Sequence, residues 1–97
     1  MAERDLNRLH VTIDGRVQGV GFRYFVYDHA RASGIKGWVR NRFDGSVEAL
    51  LEGTRPELDR LLGTLRRGPR SAMVTTIDPT WSEASGEYLE FKILPTA

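Results

Sequence analysis

The stretch from residue 15 to residue 23, GRVQGVGFR, combines three glycines with an arginine two positions after the last of them. Glycines allow a backbone to curl so that successive N–H groups point at one place, and such a nest binds phosphate or sulfate. An arginine beside the nest adds a planar, bidentate and permanently charged clamp. The stretch therefore predicts a phosphate cradle in which Arg23 is the charged ligand.

The glycines alone leave a second interpretation open, because glycine-rich turns between a strand and a helix often have only a structural role. The stretch also matches neither nucleotide-binding motif. It lacks the third glycine of the dinucleotide fingerprint, and no Gly-Lys-Ser or Gly-Lys-Thr follows it as in a Walker loop. The pattern is therefore a candidate anion site without a nucleotide signature.

Asn41 is the second candidate functional residue, because it falls in a predicted strand, where asparagine is disfavoured. The alternation of side chains places Asn41 on the same face as Val39 and Phe43. A polar amide near the end of a strand can simply serve the following turn. The residues alone leave this role and a chemical role equally open.

Other chemistries find little support. There are no cysteines, so disulfides, thiolate metal sites and cysteine nucleophiles are excluded. His10 and His29 have no partner at metal-ligand spacing and are predicted to be surface residues. The acidic residues form no cluster for divalent cations, and nothing supports a Ser-His-Asp arrangement. Trp38 and Trp81 are interpreted as packing residues, and no metal is predicted.

Length and charge restrict the protein class. Ninety-seven residues suffice for one domain, and a formal net charge of +1 offers no broad field for nucleic acid or membranes. No apolar run approaches the roughly 20 residues of a membrane span, and the charged N-terminus is unlike a signal peptide. We predict a cytoplasmic protein with a flexible segment over 1–7 and a single domain over 8–97. Met1 and the compact ending favour a stand-alone protein.

Hydrophobic periodicity predicts the elements that must hold these residues. Leu9, Val11 and Ile13 alternate with polar residues, which is typical of a half-buried strand, and from Phe22 the period becomes helical. Glycine, proline and a capping box at Thr54 mark the remaining boundaries. The predicted elements are strands over 9–13, 35–43, 46–52, 73–81 and 88–94, and helices between 22 and 33 and between 54 and 68.

This order of elements, β-α-β-β-α-β with one extra C-terminal strand, predicts an α+β ferredoxin-like sandwich. Two helices should cover one face of a five-stranded, mainly antiparallel sheet. The fourth and fifth strands should form the edges, where Glu90 and Lys92 discourage further pairing. The face opposite the helices should stay open to solvent.

The motifs also resemble those of a known family. Residues 13–23, IDGRVQGVGFR, are similar to the first acylphosphatase signature, and residues 37–47, GWVRNRFDGSV, together with Gly53, are similar to the second. Residues 68–74 resemble the stretch before the fourth strand of that family. The resemblance covers about residues 8–94. Arginine and phenylalanine follow the motif asparagine where the family often has Leu-Pro, which should alter only the surface of the hairpin.

The resemblance implies acylphosphatase activity, which is the hydrolysis of a carboxyl-phosphate anhydride to a carboxylate and inorganic phosphate. In the family, an arginine matching Arg23 holds the phosphoryl group together with loop amides, and an asparagine matching Asn41 positions the attacking water. No metal, cofactor or covalent intermediate is implied. The phosphate-binding loop implied in this sequence comprises Gly15, Arg16, Val17, Gln18, Gly19, Val20, Gly21 and Phe22.

Three rival interpretations share the fold. An RNA-binding module would need basic and aromatic residues on the open sheet face, whereas the third strand presents Glu48, Leu50 and Glu52 there. A regulatory or anion-binding module would leave the pairing of Arg23 with Asn41 unexplained. A domain within a larger maturation factor for carbamoyl phosphate chemistry is the third. We expect a monomer that binds acyl phosphate and phosphate, with no nucleic-acid or membrane partner.

Overall fold

The computed structural model describes residues 6–97, which form five strands and two helices. In chain order they are β1 (Leu6–Arg16), α1 (Phe22–Ala32), β2 (Lys36–Asn41), β3 (Val47–Thr54), α2 (Arg55–Arg67), β4 (Met73–Glu83) and β5 (Phe91–Ile93). The predicted βαββαβ order with an additional C-terminal strand is confirmed, and with it the ferredoxin-like α+β fold. Within these residues, neither helix is long and apolar enough to cross a membrane.

The first strand is longer than its apolar alternation indicates. It begins at Leu6, two residues before the predicted start of the ordered domain, and Asn7 pairs with Gly53 of β3 and Glu83 of β4. Neighbouring strands on both sides supply backbone partners, so this polar end is held without a hydrophobic pattern of its own. The remainder of the predicted flexible segment, residues 1–5, lies outside the described residues.

The sheet has the strand order β4-β1-β3-β2-β5. Strand β1 is antiparallel to β3 and β4, β2 is antiparallel to β3, and only the pairing of β5 with β2 is parallel. The edges are therefore β4 and β5, as predicted. At the β5 edge, Lys92 Nζ lies 3.6 Å from an exposed carboxylate oxygen of Glu90, and charges in this position discourage pairing with another chain.

Both helices pack on the same face of the sheet, where the hydrophobic core lies. Alternate residues of the central strands point to this face, and each helix contributes residues one turn apart. The capping box is also present, since Thr54 Oγ1 accepts a hydrogen bond from Glu57 N and Glu57 Oε1 accepts one from Thr54 N. The largest buried core side chains are Leu9, Val11, Ile13, Val17, Phe22, Val26, Ile35, Val39, Val47, Leu51, Leu58 and Leu65.

The prediction of an open sheet face opposite the helices is wrong at one end. Strands β4 and β5 lie at opposite edges, so the segment 84–90 that joins them has to cross the sheet. It crosses on the face without helices, where Ser85 N and Gly86 N donate hydrogen bonds to the Glu52 carboxylate at 2.8 and 3.1 Å. Glu52 is consequently buried, and Glu48, on the same polar face of β3, is buried beneath His10, Arg40 and Arg42.

Candidate active site

The glycine-rich stretch starts inside β1, where the strand changes register against β4 between Asp14 and Gly15. Gly15 has φ of 129°, and a Cβ atom at this position would lie 2.1 Å from the carbonyl oxygen of Met73. Only glycine permits so close an approach of two backbones. The bulge therefore depends on Gly15 and directs the chain out of the sheet towards α1.

The loop itself ends at an uncapped helix N-terminus. Gly21 is the N-cap residue of α1 in the left-handed conformation, and no side chain accepts a hydrogen bond from the first turn. The first turn also contains no acidic residue. Its N–H groups and the positive end of the helix dipole therefore have no protein anion beside them, which is the arrangement that binds an external anion.

Two buried side chains fix this loop from below. Val17 and Phe22, at either end of the turn, are each about 1% exposed and belong to the core cluster. Gly19 and Gly21 between them have positive φ values of 74° and 81°. The buried side chains anchor the two ends of the loop, and the curled centre between them directs its backbone N–H groups outwards from the core.

Arg23 is the second residue of α1 and lies half-buried beside the loop. Within residues 6–97 its guanidinium makes no ion pair and no side-chain hydrogen bond. Arginine carries its charge at every ordinary pH and offers five donors in a planar fork. An unpaired guanidinium next to free helix N–H groups is a strong local attraction for a phosphoryl group.

Asn41 is the last residue of β2, and its side chain is almost completely buried at 9% exposure. Its Oδ1 atom is inaccessible to solvent and has no hydrogen-bond partner among residues 6–97. A buried acceptor without a donor is rare and requires an explanation. The alternative that Asn41 serves the following turn is wrong for this atom, because Asp44 Oδ1 makes that turn by accepting from Ser46 N and Ser46 Oγ.

The backbone around Asn41 is held from both sides. Asn41 pairs with Val47 across the β2–β3 ladder, and its carbonyl oxygen accepts a hydrogen bond from Ala97 N at 3.1 Å. Phe43 N in turn donates to the carbonyl oxygen of Ala97 at 2.9 Å. The residues after β5 thus extend the sheet beside Asn41 and make its position rigid. Phe43 itself is 84% exposed on the hairpin surface.

Gln18 joins the loop to the hairpin that follows Asn41. Its Nε2 atom donates to the carbonyl oxygens of Arg42 at 2.7 Å and Ser46 at 2.8 Å. Sequence reasoning included Gln18 in the loop but missed this contact, because nothing in the sequence indicates which carbonyl groups a loop amide will reach. The contact places the glycine-rich loop beside the hairpin that follows Asn41.

The remaining predicted loop residues lie at the end of β1 and in the turn before α1. Gly15 and Arg16 are the last two residues of β1, and the Arg16 side chain is exposed. Val20 packs partly against the core. Within residues 6–97, no group of three or more His, Asp and Glu side chains is placed to hold a metal ion.

The hairpin carries one carboxyl group with a perturbed pKa. Hydrogen bonds from the Ser46 hydroxyl and the Ser46 backbone N–H lower the pKa of Asp44 below its usual range. The same two hydrogen bonds close the turn. Asp44 acts as part of the scaffold beneath Asn41.

The fold and the site together define a ferredoxin-like α+β protein with an anion-binding loop at a helix N-terminus. Comparison with known proteins identifies its family. The family model described as acylphosphatase matches residues 9–93. The chain belongs to the acylphosphatase family, and it is an enzyme that binds acyl phosphates and hydrolyses them.

Relatives match over nearly their whole length. An acylphosphatase of Pyrobaculum aerophilum is 50% identical, with 95% of this chain and 98% of the relative covered. One of Chloroflexus aurantiacus is 48% identical, with 93% and 98% covered. The crystal structure of acylphosphatase from Bacillus subtilis superimposes with a TM-score of 0.88 at 40% identity, covering 91% of this chain and 98% of that one.

Proposed function

We propose that the phosphoryl group of the substrate is held by the backbone N–H groups of residues 15–22 and by the Arg23 guanidinium. The observation that carries this proposal is the unpaired Arg23 beside an uncapped helix N-terminus without acidic residues. Fixed donors of this kind stabilise the charge that develops on phosphoryl oxygens in the transition state. Because they are already oriented in the folded protein, no reorganisation is needed during the reaction.

Asn41 orients the attacking water in this proposal. Its Oδ1 has an unused lone pair, and in the proposed complex rotation of the side-chain amide towards the loop presents this lone pair to the water as a hydrogen-bond acceptor. A neutral amide has no proton-accepting function at ordinary pH, so Asn41 acts by position and not as a base. An oxygen of the substrate phosphoryl group then takes the proton. A pH–rate profile that requires a protein group titrating near neutrality would contradict this step.

The bond changes are those of a simple hydrolysis. The water oxygen forms a bond to phosphorus, the bond from phosphorus to the acyl oxygen breaks, and the products are a carboxylate and inorganic phosphate. The carboxylate is a good leaving group, so no strong general acid is required. We propose that the reaction proceeds without a metal ion, a cofactor or a covalent intermediate.

The remaining proposals concern the cellular state of the protein. We propose that it acts in the cytoplasm as a monomer with a single domain over 8–97, and without nucleic-acid or membrane partners. Recognition is directed at the phosphoryl end of the substrate, since Arg23, Asn41 and the loop amides are all polar donors or acceptors. The acyl group is consequently under weaker control than the phosphoryl group.

Hydrolysis of benzoyl phosphate in EDTA tests the proposal, with Arg23→Ala measured beside the wild type. We expect metal-independent turnover that Arg23→Ala lowers by about 10³-fold in kcat/KM, while the circular dichroism spectrum of the variant stays unchanged. Arg31→Ala is the matched control, because Arg31 lies in the last turn of the same helix and its side chain bonds and stacks on Tyr27. If the folded wild type does not turn over, the site is an anion-binding scaffold, and phosphate or RNA titration becomes the next experiment.

A further inference from the structure

A single side chain connects the two halves of the candidate active site. Gln18 lies in the loop that precedes α1, and both of its side-chain donor bonds end on the β2–β3 hairpin, at the carbonyl oxygens of Arg42 and Ser46. Arg42 follows Asn41 directly in the chain. The position of the loop relative to Asn41 is therefore coupled to these two hydrogen bonds.

The number of donors limits what Gln18 can do. A glutamine Nε2 group carries two hydrogens, and both are used by the bonds of 2.7 and 2.8 Å to the hairpin. The side chain has no N–H left for a phosphate oxygen. Gln18 can contribute its backbone N–H to the loop, whereas its side chain is directed to the protein and not to the ligand.

The hairpin does not need Gln18 in order to form. The carbonyl oxygen of Arg42 already accepts from Gly45 N at 3.1 Å, and that of Ser46 accepts from Arg42 N at 2.8 Å. Asp44 closes the turn through Ser46. Gln18 supplies the second hydrogen bond to each carbonyl oxygen. Removing it should leave the hairpin intact and remove its attachment to the loop.

We infer that Gln18 is a positioning residue that sets the distance between the phosphate loop and the water held by Asn41. This inference rests on the roles proposed above for the loop and Asn41. In-line attack requires the water and the phosphorus atom to be placed within a few tenths of an ångström, and a misplacement of about 1 Å can cost about 10²-fold in rate. Substrate binding by the loop and Arg23 does not depend on the hairpin.

Gln18→Met tests the inference, because methionine has a similar length but no N–H donor. We expect kcat for benzoyl phosphate to fall about 10²-fold, while KM and inhibition by inorganic phosphate change less than about threefold. Thermal unfolding reports whether the variant is folded. A loss of phosphate affinity as large as the loss of kcat would overturn the inference and make Gln18 part of the phosphate site.

Gln18→Asn is the second variant, for the case that a thioether is not tolerated at this half-buried position. It keeps the amide but is one methylene shorter, so it should not span from the loop to both carbonyl groups. We expect the same selective loss of kcat. Activity equal to that of the wild type in a folded Gln18→Met or Gln18→Asn protein would show that the bridge has no positioning role.

The double variant Gln18→Met with Asn41→Ala separates this inference from the proposed function. If Gln18 acts through Asn41, the double variant should be no slower than Asn41→Ala alone. Multiplied losses would mean that Gln18 acts elsewhere, and the inference would fail while the role of Asn41 stood. If Asn41→Ala alone kept full activity, the role proposed for Asn41 would fail, and with it the inference.

Discussion

Two polar regions of this molecule differ in whether their charged and amide groups have hydrogen-bond partners. On the sheet face without helices, the buried Glu48 and Glu52 carboxylates are fully partnered by neighbouring side chains and backbone N–H groups. At the candidate active site, neither the Arg23 side chain nor the buried Oδ1 of Asn41 has a partner within residues 6–97. The first region is fully hydrogen-bonded within the protein, whereas in the function proposed above the groups of the second are left for the substrate and the water.

The difference shows how burial of polar groups can distinguish scaffold from site. Leaving a buried polar atom unpaired costs about 1–3 kcal/mol, so such atoms persist only where another function requires them. Glu48 illustrates the scaffold case: its two carboxylate oxygens lie 2.6 Å from His10 Nε2, 2.8 Å from Arg40 Nε and 3.2 Å from Arg42 Nη1. The Glu48 carboxylate, which the sequence placed on an open sheet face, is thus partnered by basic side chains.

The largest expected effect comes from replacing Arg23, the unpaired arginine of the candidate site, and comparing it with Arg40, a paired arginine of the sheet face. Arg23→Ala should lower kcat/KM for benzoyl phosphate by about 10³-fold, because a main electrostatic donor is lost, and should leave the unfolding free energy nearly unchanged. Arg40→Ala, its matched control, should keep the activity and lose about 1 kcal/mol of stability, because Arg40 pairs with Glu48. Kinetics and urea denaturation measure both. Similar behaviour of the two variants would contradict the division into site and scaffold.

Asn41→Ala is expected to have the next largest effect. Loss of the group that orients the water should reduce kcat by about 10²-fold and change inhibition by phosphate less than about threefold. Steady-state kinetics with phosphate as inhibitor measure both constants. Phe43→Ala, on the exposed surface of the same hairpin, is the control and should keep wild-type kcat. Equal losses in kcat and phosphate affinity would instead identify Asn41 as a phosphate ligand.

Glu48→Gln tests the scaffold side of the comparison. Replacing the carboxylate weakens charge-assisted hydrogen bonds and leaves Arg40 and His10 without their charged partner, so the unfolding free energy should fall by roughly 2 kcal/mol. Glu90→Gln is the matched control: its ion pair with Lys92 is exposed, and its loss should cost less than about 0.5 kcal/mol. Denaturant titration measures both. Equal stabilities of these two variants would show that burial of the network adds nothing.

The smallest effect concerns the pH dependence of stability. Burial raises the pKa of Glu48, but hydrogen bonds from His10, Arg40 and Arg42 outweigh it, so the pKa lies below the ordinary value of 4.5. For Glu52, burial likewise raises the pKa, and the hydrogen bonds, those from Ser85 N and Arg8 foremost, outweigh it. A lowered folded-state pKa stabilises the protein above the ordinary pKa, and this contribution is lost as the pH falls through the folded-state value.

Unfolding free energy should therefore decline as the pH falls below about 4.5, and Glu48→Gln should show a shallower decline than the wild type. Denaturant titrations between pH 6 and about 3 provide the curves. Parallel curves for the two proteins would mean that the titration of Glu48 does not contribute to acid sensitivity.

Much of the fold was predictable because its signals are local. The alternation of Leu9, Val11 and Ile13 and the capping box at Thr54 each depend on neighbours in the chain, and the structure confirms them. The N-terminal end of β1 shows the limit of prediction from local signals. Leu6 and Asn7 have no periodic pattern and join the strand only because β3 and β4 offer backbone partners.

The sequence predicted the residues of the candidate site but not the contacts that join them. Glycines near Arg23 indicated an anion loop because positive φ values and a free helix N-terminus are properties of the local chain. The contact of Gln18 with the hairpin joins residues 24 and 28 positions apart in the chain. No periodicity reports such a contact, because it depends on how the first two motifs pack in space.

The sequence by itself determined the order of the elements, the candidate phosphate loop and the two residues Arg23 and Asn41 that its motifs single out. Only the tertiary structure decided which polar groups are satisfied. It buries Glu48 and Glu52 beneath partners from other strands, and it leaves Arg23 and Asn41 without partners among residues 6–97. The physical reason is that hydrogen-bond satisfaction depends on distances between residues remote in sequence, whereas propensity and periodicity depend on neighbours along the chain.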